Sequence, residues 1–102
     1  MKYGLTDTEI TKLSDFFARY EGIEKVLLYG SRAKGNYKPF SDVDLTLVGE
    51  KLTHHDLNQI AWAIDDLLLP YQFDISLFQK LTNPDLKEHI ERKGVVFYQK
   101  TS

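Results

Sequence analysis

The fold of this chain is decided by residues 30–44, GSRAKGNYKPFSDVD, which separate two largely apolar segments. Residues 24–29 are short, mostly apolar and stop at Gly30, a pattern typical of a buried strand. Residues 43–48 alternate between apolar and polar side chains, which predicts a second strand with its acid on one face. The two predicted strands are therefore joined by a polar loop that has room for one short helical turn.

Two longer helices are predicted on either side of these strands. Residues 6–9 have the form of a capping box, and the apolar stripe that follows predicts a helix ending near Gly22. A second apolar stripe begins after Thr53 and extends to Leu68, with Pro70 just beyond it. Each of these helices is expected to pack one apolar face against the strands.

The last third of the chain alternates again between strand and helix. Residues 71–78 have a period of two and place Asp74 opposite the apolar side chains. A helix is predicted over residues 84–94, and residues 95–98 form a last short strand. This order of elements predicts an α/β fold of the α+β kind, a small sheet packed by helices, and leaves strand order and direction open.

Length and composition limit what the chain can do. It has 102 residues, a net charge of −2, no cysteine and 42% apolar residues, so we expect one domain over residues 1–102. The weak acidic balance argues against nucleic acid as a partner, and it requires any phosphate site to be a local basic cluster. The absence of cysteine excludes a thiolate zinc site and a cysteine nucleophile. No apolar run reaches the roughly 18–20 residues of a membrane span, so we expect a cytoplasmic protein with no membrane partner.

The turn after the first predicted strand has the composition of a phosphate site. Gly30 lets the backbone turn sharply and lets an anion approach without a Cβ in the way. Ser31 adds a hydroxyl, and Arg32 and Lys34 add positive charge to a chain that is acidic overall. We predict that these four residues bind phosphate, whereas Lys38 belongs to a solvated loop.

Three acidic residues are predicted to face one another. Asp42 and Asp44 are two residues apart along a strand, so their Cα atoms would lie about 6.5–7 Å apart with both side chains on one face. Asp74 occupies the same kind of position on a later strand. Mg²⁺ takes only one or two protein carboxylates beside waters and phosphate oxygens, so the three acids are candidate ligands of two ions about 3.5–4 Å apart. Without metal the acids would repel one another and raise some of their pKa values, so we expect a site that is completed by metal and nucleotide.

The spacing of these two motifs resembles a known family. Gly-Ser at residue 30, ten further residues and Asp-Val-Asp at residues 42–44 match the Gly-Ser-x₁₀-Asp-x-Asp signature of the polymerase-β-like nucleotidyltransferases. Gly-Ser-Arg-Ala-Lys-Gly followed by Ser-Asp-Val-Asp-Leu is most similar to the minimal nucleotidyltransferases (MNT), the antitoxins of HEPN/MNT toxin–antitoxin pairs. The resemblance covers most of the chain, because the strand with Asp74 lies where the family has its third acid.

The resemblance implies a small mixed β-sheet, the Gly-Ser turn at a triphosphate, and the three acids as catalytic residues and metal ligands. It implies an Mg²⁺-dependent enzyme that transfers AMP from ATP to a tyrosine of a HEPN ribonuclease, the toxin with which it forms a hetero-oligomer. Asp74 would help to activate the acceptor hydroxyl. Lys34 stands where many relatives have Arg, which keeps the charge but loses the bidentate fork.

Two other functions remain open at this stage. The chain could neutralise its partner by binding alone, with chemistry secondary or absent, although three acids placed to converge favour catalysis. It could also modify an antibiotic or another small molecule. That third function is less favoured, because relatives of that type carry an added helical acceptor domain for which this chain leaves no residues.

The histidines and the single tryptophan receive simpler interpretations. No spacing among His54, His55 and His89 makes a zinc site, so all three are predicted to be surface residues. Trp62 lies beside the apolar stripe of its helix, and we favour the margin of the core over a partner contact.

Overall fold

The computed structural model describes residues 1–101 and contains a four-stranded mixed β-sheet. Its strands are β1 (Lys25–Tyr29), β2 (Val43–Val48), β3 (Phe73–Leu77) and β4 (Val95–Gln99). They are arranged in the order β3-β2-β1-β4. Strand β1 runs antiparallel to both β2 and β4, whereas β2 and β3 are parallel. The predicted mixed sheet packed by helices is confirmed, and the structure supplies the strand order and directions.

Four α-helices connect or flank the strands. They are α1 (Asp7–Ala18), α2 (Ser31–Lys34), α3 (His54–Asp65) and α4 (Pro84–Lys93), with one 3₁₀ turn after β3 (Phe78–Lys80). The predicted capping box is present at α1, where the side chains of Thr6 and Glu9 accept each other's backbone N–H. Thr53 and Asp56 repeat this arrangement at α3. The structure describes no helix in residues 1–101 that is long and apolar enough to cross a bilayer.

The main core lies on one face of the sheet. The alternation of β2 places Val43, Leu45 and Leu47 on this face, all fully buried. Phe16 and Phe17 of α1 join the same cluster of buried side chains. The polar side chains predicted on the opposite face of β2 and β3 are thereby directed away from the main core.

Helix α3 is shorter than its apolar stripe predicts. It ends at Asp65, and the next three N–H groups bond to carbonyls three residues back, which tightens the chain into a turn. Leu68 then adopts a positive φ of 57° and is 87% exposed, so it does not continue the buried stripe. Pro70 cannot continue a helix, and the chain must reverse here to enter β3. Trp62 is also misplaced by the prediction, because its side chain is 80% exposed and does not lie at the core margin.

The strand directions bring the predicted site residues to one end of the sheet, where strands begin or stop, and we call this end the edge. The C-terminal end of β1 meets the N-terminal ends of β2, β3 and β4 at this edge. The two parallel strands therefore begin beside each other where β1 ends. The predicted site residues lie at this edge, on β2 and β3, just before β2, or in the Gly-Ser turn and the short helix α2 that follows β1.

Candidate active site

Asp44 and Asp74 are direct neighbours across the sheet. They are register partners in the parallel pair β2–β3, and Tyr29 is the register partner of Asp44 on β1. Partners in adjacent strands present their side chains on the same face. The edge of the sheet therefore carries a row of three side chains, Tyr29, Asp44 and Asp74.

The ionisation of Asp44 reflects these neighbours. Partial burial raises its pKa most, and the negative charges of Asp74 and Asp42 raise it further, while the positive charge of Arg32 opposes them. The pKa of Tyr29 is also raised, first by burial and then by the Asp74 and Asp44 charges, against a hydrogen bond with Ser76. Negative charges on neighbouring side chains favour a bound cation, because a cation removes the repulsion between them.

Asp42 occupies a different position from the other two acids. It lies just before β2 in irregular backbone and is exposed. Within residues 1–101 no three carboxylate or imidazole side chains meet closely enough to enclose an ion. Asp44 and Asp74 are therefore register partners, whereas Asp42 lies two residues before Asp44, where its charge still raises the pKa of Asp44. Two facing carboxylates still provide the hard oxygen donors that suit Mg²⁺, which takes only one or two of them.

Gly30 allows the Gly-Ser turn to lie in close contact with Asp44. Its φ is +78°, a conformation that L side chains rarely adopt, and a Cβ at this position would overlap Oδ2 of Asp44. The Gly-Ser turn therefore passes directly against the carboxylate on β2. Ser31 follows as the first residue of α2 and is partly buried.

Arg32 differs from the prediction, because its guanidinium is held by the protein itself. The side chain is only 2% exposed. Nε and Nη2 donate to the carbonyl of Ser41 at 3.1 and 2.8 Å, and Nη1 donates to the carbonyl of Tyr3 at 2.8 Å. A longer bond of 3.5 Å joins Nη2 to the carbonyl of Pro39. With its donors occupied in this way, Arg32 joins α2 to the loop before Asp42 and does not present a free fork to phosphate.

Aromatic side chains complete the surroundings of Arg32. Its guanidinium carbon lies 5.4 Å from the ring centre of Tyr37 and 5.0 Å from that of Tyr71. The Tyr71 hydroxyl donates to Oε1 of Glu9 at 2.8 Å. The phosphate turn is thereby connected to the first helix through Arg32, Tyr71 and Glu9.

The side chain of Lys34 is exposed at the end of α2. It lines a cavity of about 440 Å³ together with Ala33 and three residues of α4, which are His89, Arg92 and Lys93. Sequence reasoning missed these three residues, because they lie more than fifty positions from the turn. Their spacing of three and four positions places them on one helix face. This spacing of basic residues is the sequence signal that could have identified them.

A second cavity lies between the segments that lead into β2 and β3. It has a volume of about 400 Å³ and is lined by Phe40, Ser41, Leu69, Pro70, Tyr71 and Gln72. Phe40 is 95% exposed and stands only two positions before Asp42.

Comparison with known proteins identifies the family. The model of the family described as "Polymerase beta, Nucleotidyltransferase" matches residues 11–102. The chain belongs to this nucleotidyltransferase family. A protein of Methanocaldococcus jannaschii named as a candidate protein adenylyltransferase is 32% identical over 89 residues, which cover 79% of this chain and 85% of that protein. The resemblance seen in the sequence motifs is confirmed, as is the assignment to the nucleotidyltransferases.

Solved structures share the fold of this nucleotidyltransferase. A crystal structure of a toxin–antitoxin with AMP-PNP superposes with a TM-score of 0.73 and 15% identity, covering 90% of this chain and 74% of that one. A doubly substituted MntA-HpeT toxin–antitoxin gives a TM-score of 0.68 and 14% identity, covering 95% and 75%. A nucleotidyltransferase-like protein of Sulfolobus solfataricus gives 0.53 and 19%, covering 90% and 76%. At these identities the likeness establishes the fold and nothing finer.

Proposed function

We propose that this nucleotidyltransferase transfers AMP from ATP to a tyrosine hydroxyl of a HEPN toxin and so acts as the antitoxin of that toxin. The observation that carries the proposal is the direct pairing of Asp44 with Asp74 beside the Gly30 turn. The relative named for protein adenylylation and the fold shared with toxin–antitoxin structures support the same acceptor class. The AMP-PNP in one of those structures supports ATP as the donor.

In this reaction the acceptor oxygen bonds to the α-phosphorus of ATP. The bond between the α- and β-phosphates breaks, and pyrophosphate leaves. Mg²⁺, when bound, supplies charge neutralisation and lowers the pKa of the attacking hydroxyl. Asp42 and Asp44 would hold the metal with Asp74, whose carboxylate takes the proton from the acceptor hydroxyl.

The phosphate turn has a separate part in the proposal. Gly30 leaves room for the triphosphate to approach the backbone, and Ser31 offers its hydroxyl there. Lys34 contributes an exposed positive charge at the end of α2. Arg32 is a positioning residue in this scheme, because its donors are already bound to backbone carbonyls.

A partner protein would bring its own acceptor surface to the site. The cavity lined by Phe40 borders the loop that carries Asp42, so a partner bound there would place its hydroxyl close to the acids. Trp62 and Leu68 add further exposed apolar area on and after α3. This exposure also favours the second function, neutralisation of the toxin by binding without transfer.

The two functions are separated by following the label of ATP labelled at its α-phosphate. The reaction contains Mg²⁺, the HEPN partner and one of three proteins: the wild type, Asp44→Asn, or Asp66→Asn as a control at the exposed end of α3. We expect label on the partner with the wild type and the control, a loss of about a thousandfold or more with Asp44→Asn, and no label when Mg²⁺ is chelated. A tyrosine-to-phenylalanine series in the partner then identifies the acceptor. Neutralisation by all three proteins with no label on the partner would support binding alone.

A further inference from the structure

A cavity lies between α2 and α4, and its α4 wall has no part in the proposed transfer. Its charged lining is entirely basic, from Lys34 on α2 and from His89, Arg92 and Lys93 on α4. We define these four side chains as the basic groove. A local concentration of this kind is unexpected in a chain whose net charge is −2.

Strand pairing fixes where the basic groove lies. Val95, the first residue of β4, is the register partner of Leu28, so the end of α4 lies beside the end of β1. Helix α2 starts directly after β1, and the Lys34 N–H bonds back to the Gly30 carbonyl. Both walls of the groove therefore flank the Gly-Ser turn.

The acids lie on the opposite side of the same turn. Asp44 is on β2 and Asp74 on β3, whereas α4 leads into β4, and the sheet order is β3-β2-β1-β4. Neighbouring strands are about 4.8 Å apart, so β2 and β4 are separated by roughly 10 Å. Along this edge the charge changes from negative, through the neutral turn, to positive.

We infer that the basic groove binds the distal phosphates of the nucleoside triphosphate. This inference rests on the proposed function, since it concerns the other end of the same substrate. The acids would hold a metal at the α-phosphate, where the bond is broken, and their charges repel any phosphate that carries no cation. The groove attracts the β- and γ-phosphates, so it fixes the direction of the triphosphate and receives pyrophosphate as it leaves.

The electrostatics of α4 are compatible with this role. His89, Arg92 and Lys93 follow a spacing of three and four, which puts them on one face of the helix. Arg92 forms an ion pair with Glu88 at 3.6 Å, but both side chains are more than 60% exposed, so the pair is weak and can be exchanged for a phosphate. Glu88 and Glu91 do not line the groove.

The test measures binding, which does not depend on transfer. The dissociation constants of inorganic triphosphate, ATP and AMP, each with Mg²⁺, are compared for the wild type and for Arg92→Ala/Lys93→Ala. The matched control is Lys12→Ala/Lys51→Ala, which removes the same charge from α1 and from the opposite edge of the sheet. All four positions are exposed, so the unfolding midpoints of both variants are expected to stay near that of the wild type.

We expect the groove variant to bind triphosphate and ATP about five- to tenfold more weakly, as two exposed charge contacts of a few fold each would give, and to bind AMP unchanged. The control should bind all three ligands like the wild type. Unchanged triphosphate affinity in the groove variant, an equal loss in the control, or no triphosphate binding by the wild type would each overturn the inference. If the loss is seen but the wild type transfers no label, the phosphate groove stands and the proposed transfer fails.

Discussion

The guanidinium of Arg32 donates two hydrogen bonds to the carbonyl of Ser41, the residue immediately before Asp42. One side chain of the phosphate turn thus fixes the backbone that leads into the acidic strand. The same guanidinium reaches the carbonyl of Tyr3, so the N-terminal turn is held as well. A buried cation therefore helps to set the relative position of the turn and the acids.

Replacing Arg32 by alanine should destabilise the fold by about 2–4 kcal/mol. The substitution leaves partly buried carbonyls without their donors and removes a long side chain that packs against two aromatic rings. Arg32→Lys should recover only part of this loss, because an ammonium cannot reproduce the fork on Ser41. Urea unfolding gives the measurement, and Lys34→Ala, at an exposed position, should stay within about 0.5 kcal/mol of the wild type. If Arg32→Ala unfolds at the same urea concentration as the wild type, Arg32 does not stabilise the fold through these contacts.

Asp44→Asn should separate stability from activity. Burial and the neighbouring acids raise the pKa of Asp44, so its ionised form is less favourable in the folded chain than in the unfolded one above that pKa. In the presence of a chelator, the variant should be as stable as the wild type or more stable, by less than about 1 kcal/mol because the carboxylate is still partly solvated. Asp15→Asn, an exposed acid of α1, should show no change in thermal unfolding. A clear destabilisation by Asp44→Asn would contradict the raised pKa, because the ionised carboxylate would then stabilise the fold.

Gly30 and Gly35 offer a matched pair of substitutions. Both have positive φ, but Gly30 (φ 78°, ψ −155°) lies in a region essentially limited to glycine, whereas Gly35 (φ 86°, ψ 4°) is left-handed helical. Alanine therefore costs backbone strain of about 1 kcal/mol at Gly35 and more at Gly30. At Gly35 nothing lies within 4 Å of the added Cβ, whereas at Gly30 the Cβ would overlap the carboxylate of Asp44. We expect Gly30→Ala to lose at least 1 kcal/mol more in chemical denaturation and to lose most label transfer. Equal effects of the two substitutions would mean that the close approach to Asp44 has no consequence.

The sequence predicts the local features of the site better than its assembly. Alternation along each strand was sufficient to place Asp44 and Asp74 on polar faces, and the Gly-Ser spacing was sufficient to identify the turn. The parallel pairing that makes the two acids neighbours depends on contacts between strands nearly thirty residues apart, which periodicity does not contain. Local patterns therefore determine which face a residue occupies but not which residue it meets.

Arg32 and Trp62 show a second limit of the sequence. Charge counting treats Arg32 and Lys34 alike, yet one is buried and the other exposed, because the acceptors that satisfy Arg32 are backbone carbonyls with no sequence signature. Trp62 lies beside an apolar stripe, but its own angle on α3 turns it to solvent. Hydrophobicity alone cannot distinguish a residue at the core margin from one on a contact surface.

Trp62→Ala should therefore leave the stability of the isolated chain unchanged within about 0.5 kcal/mol, because the side chain is 80% exposed. Ile60→Ala, two positions away and fully buried, should cost about 2–5 kcal/mol in the same unfolding experiment. If Trp62 contacts the toxin, its loss should weaken the complex about tenfold or more, measured by titration calorimetry. An unchanged affinity of the variant for the toxin would show that Trp62 is not part of the partner surface.

Glu9 should make the stability of the chain depend on pH through its contact with Tyr71. Burial acts to raise the pKa of Glu9, but hydrogen bonds from the Thr6 N–H, the Tyr71 hydroxyl and the Thr6 hydroxyl, with the Arg32 charge, outweigh it and lower the pKa below its usual 4.5. The ionised carboxylate therefore stabilises the fold fully above the unfolded pKa, and this contribution is lost as the pH falls through the folded pKa. The difference in unfolding free energy between the wild type and Glu9→Gln should be largest near pH 7 and shrink below about pH 4. Tyr71→Phe keeps a ring over Arg32 but removes the hydroxyl donor, so it should reduce the same pH dependence. If the difference in unfolding free energy between the wild type and Glu9→Gln stays constant from pH 7 to pH 3, Glu9 is not the source of the pH dependence.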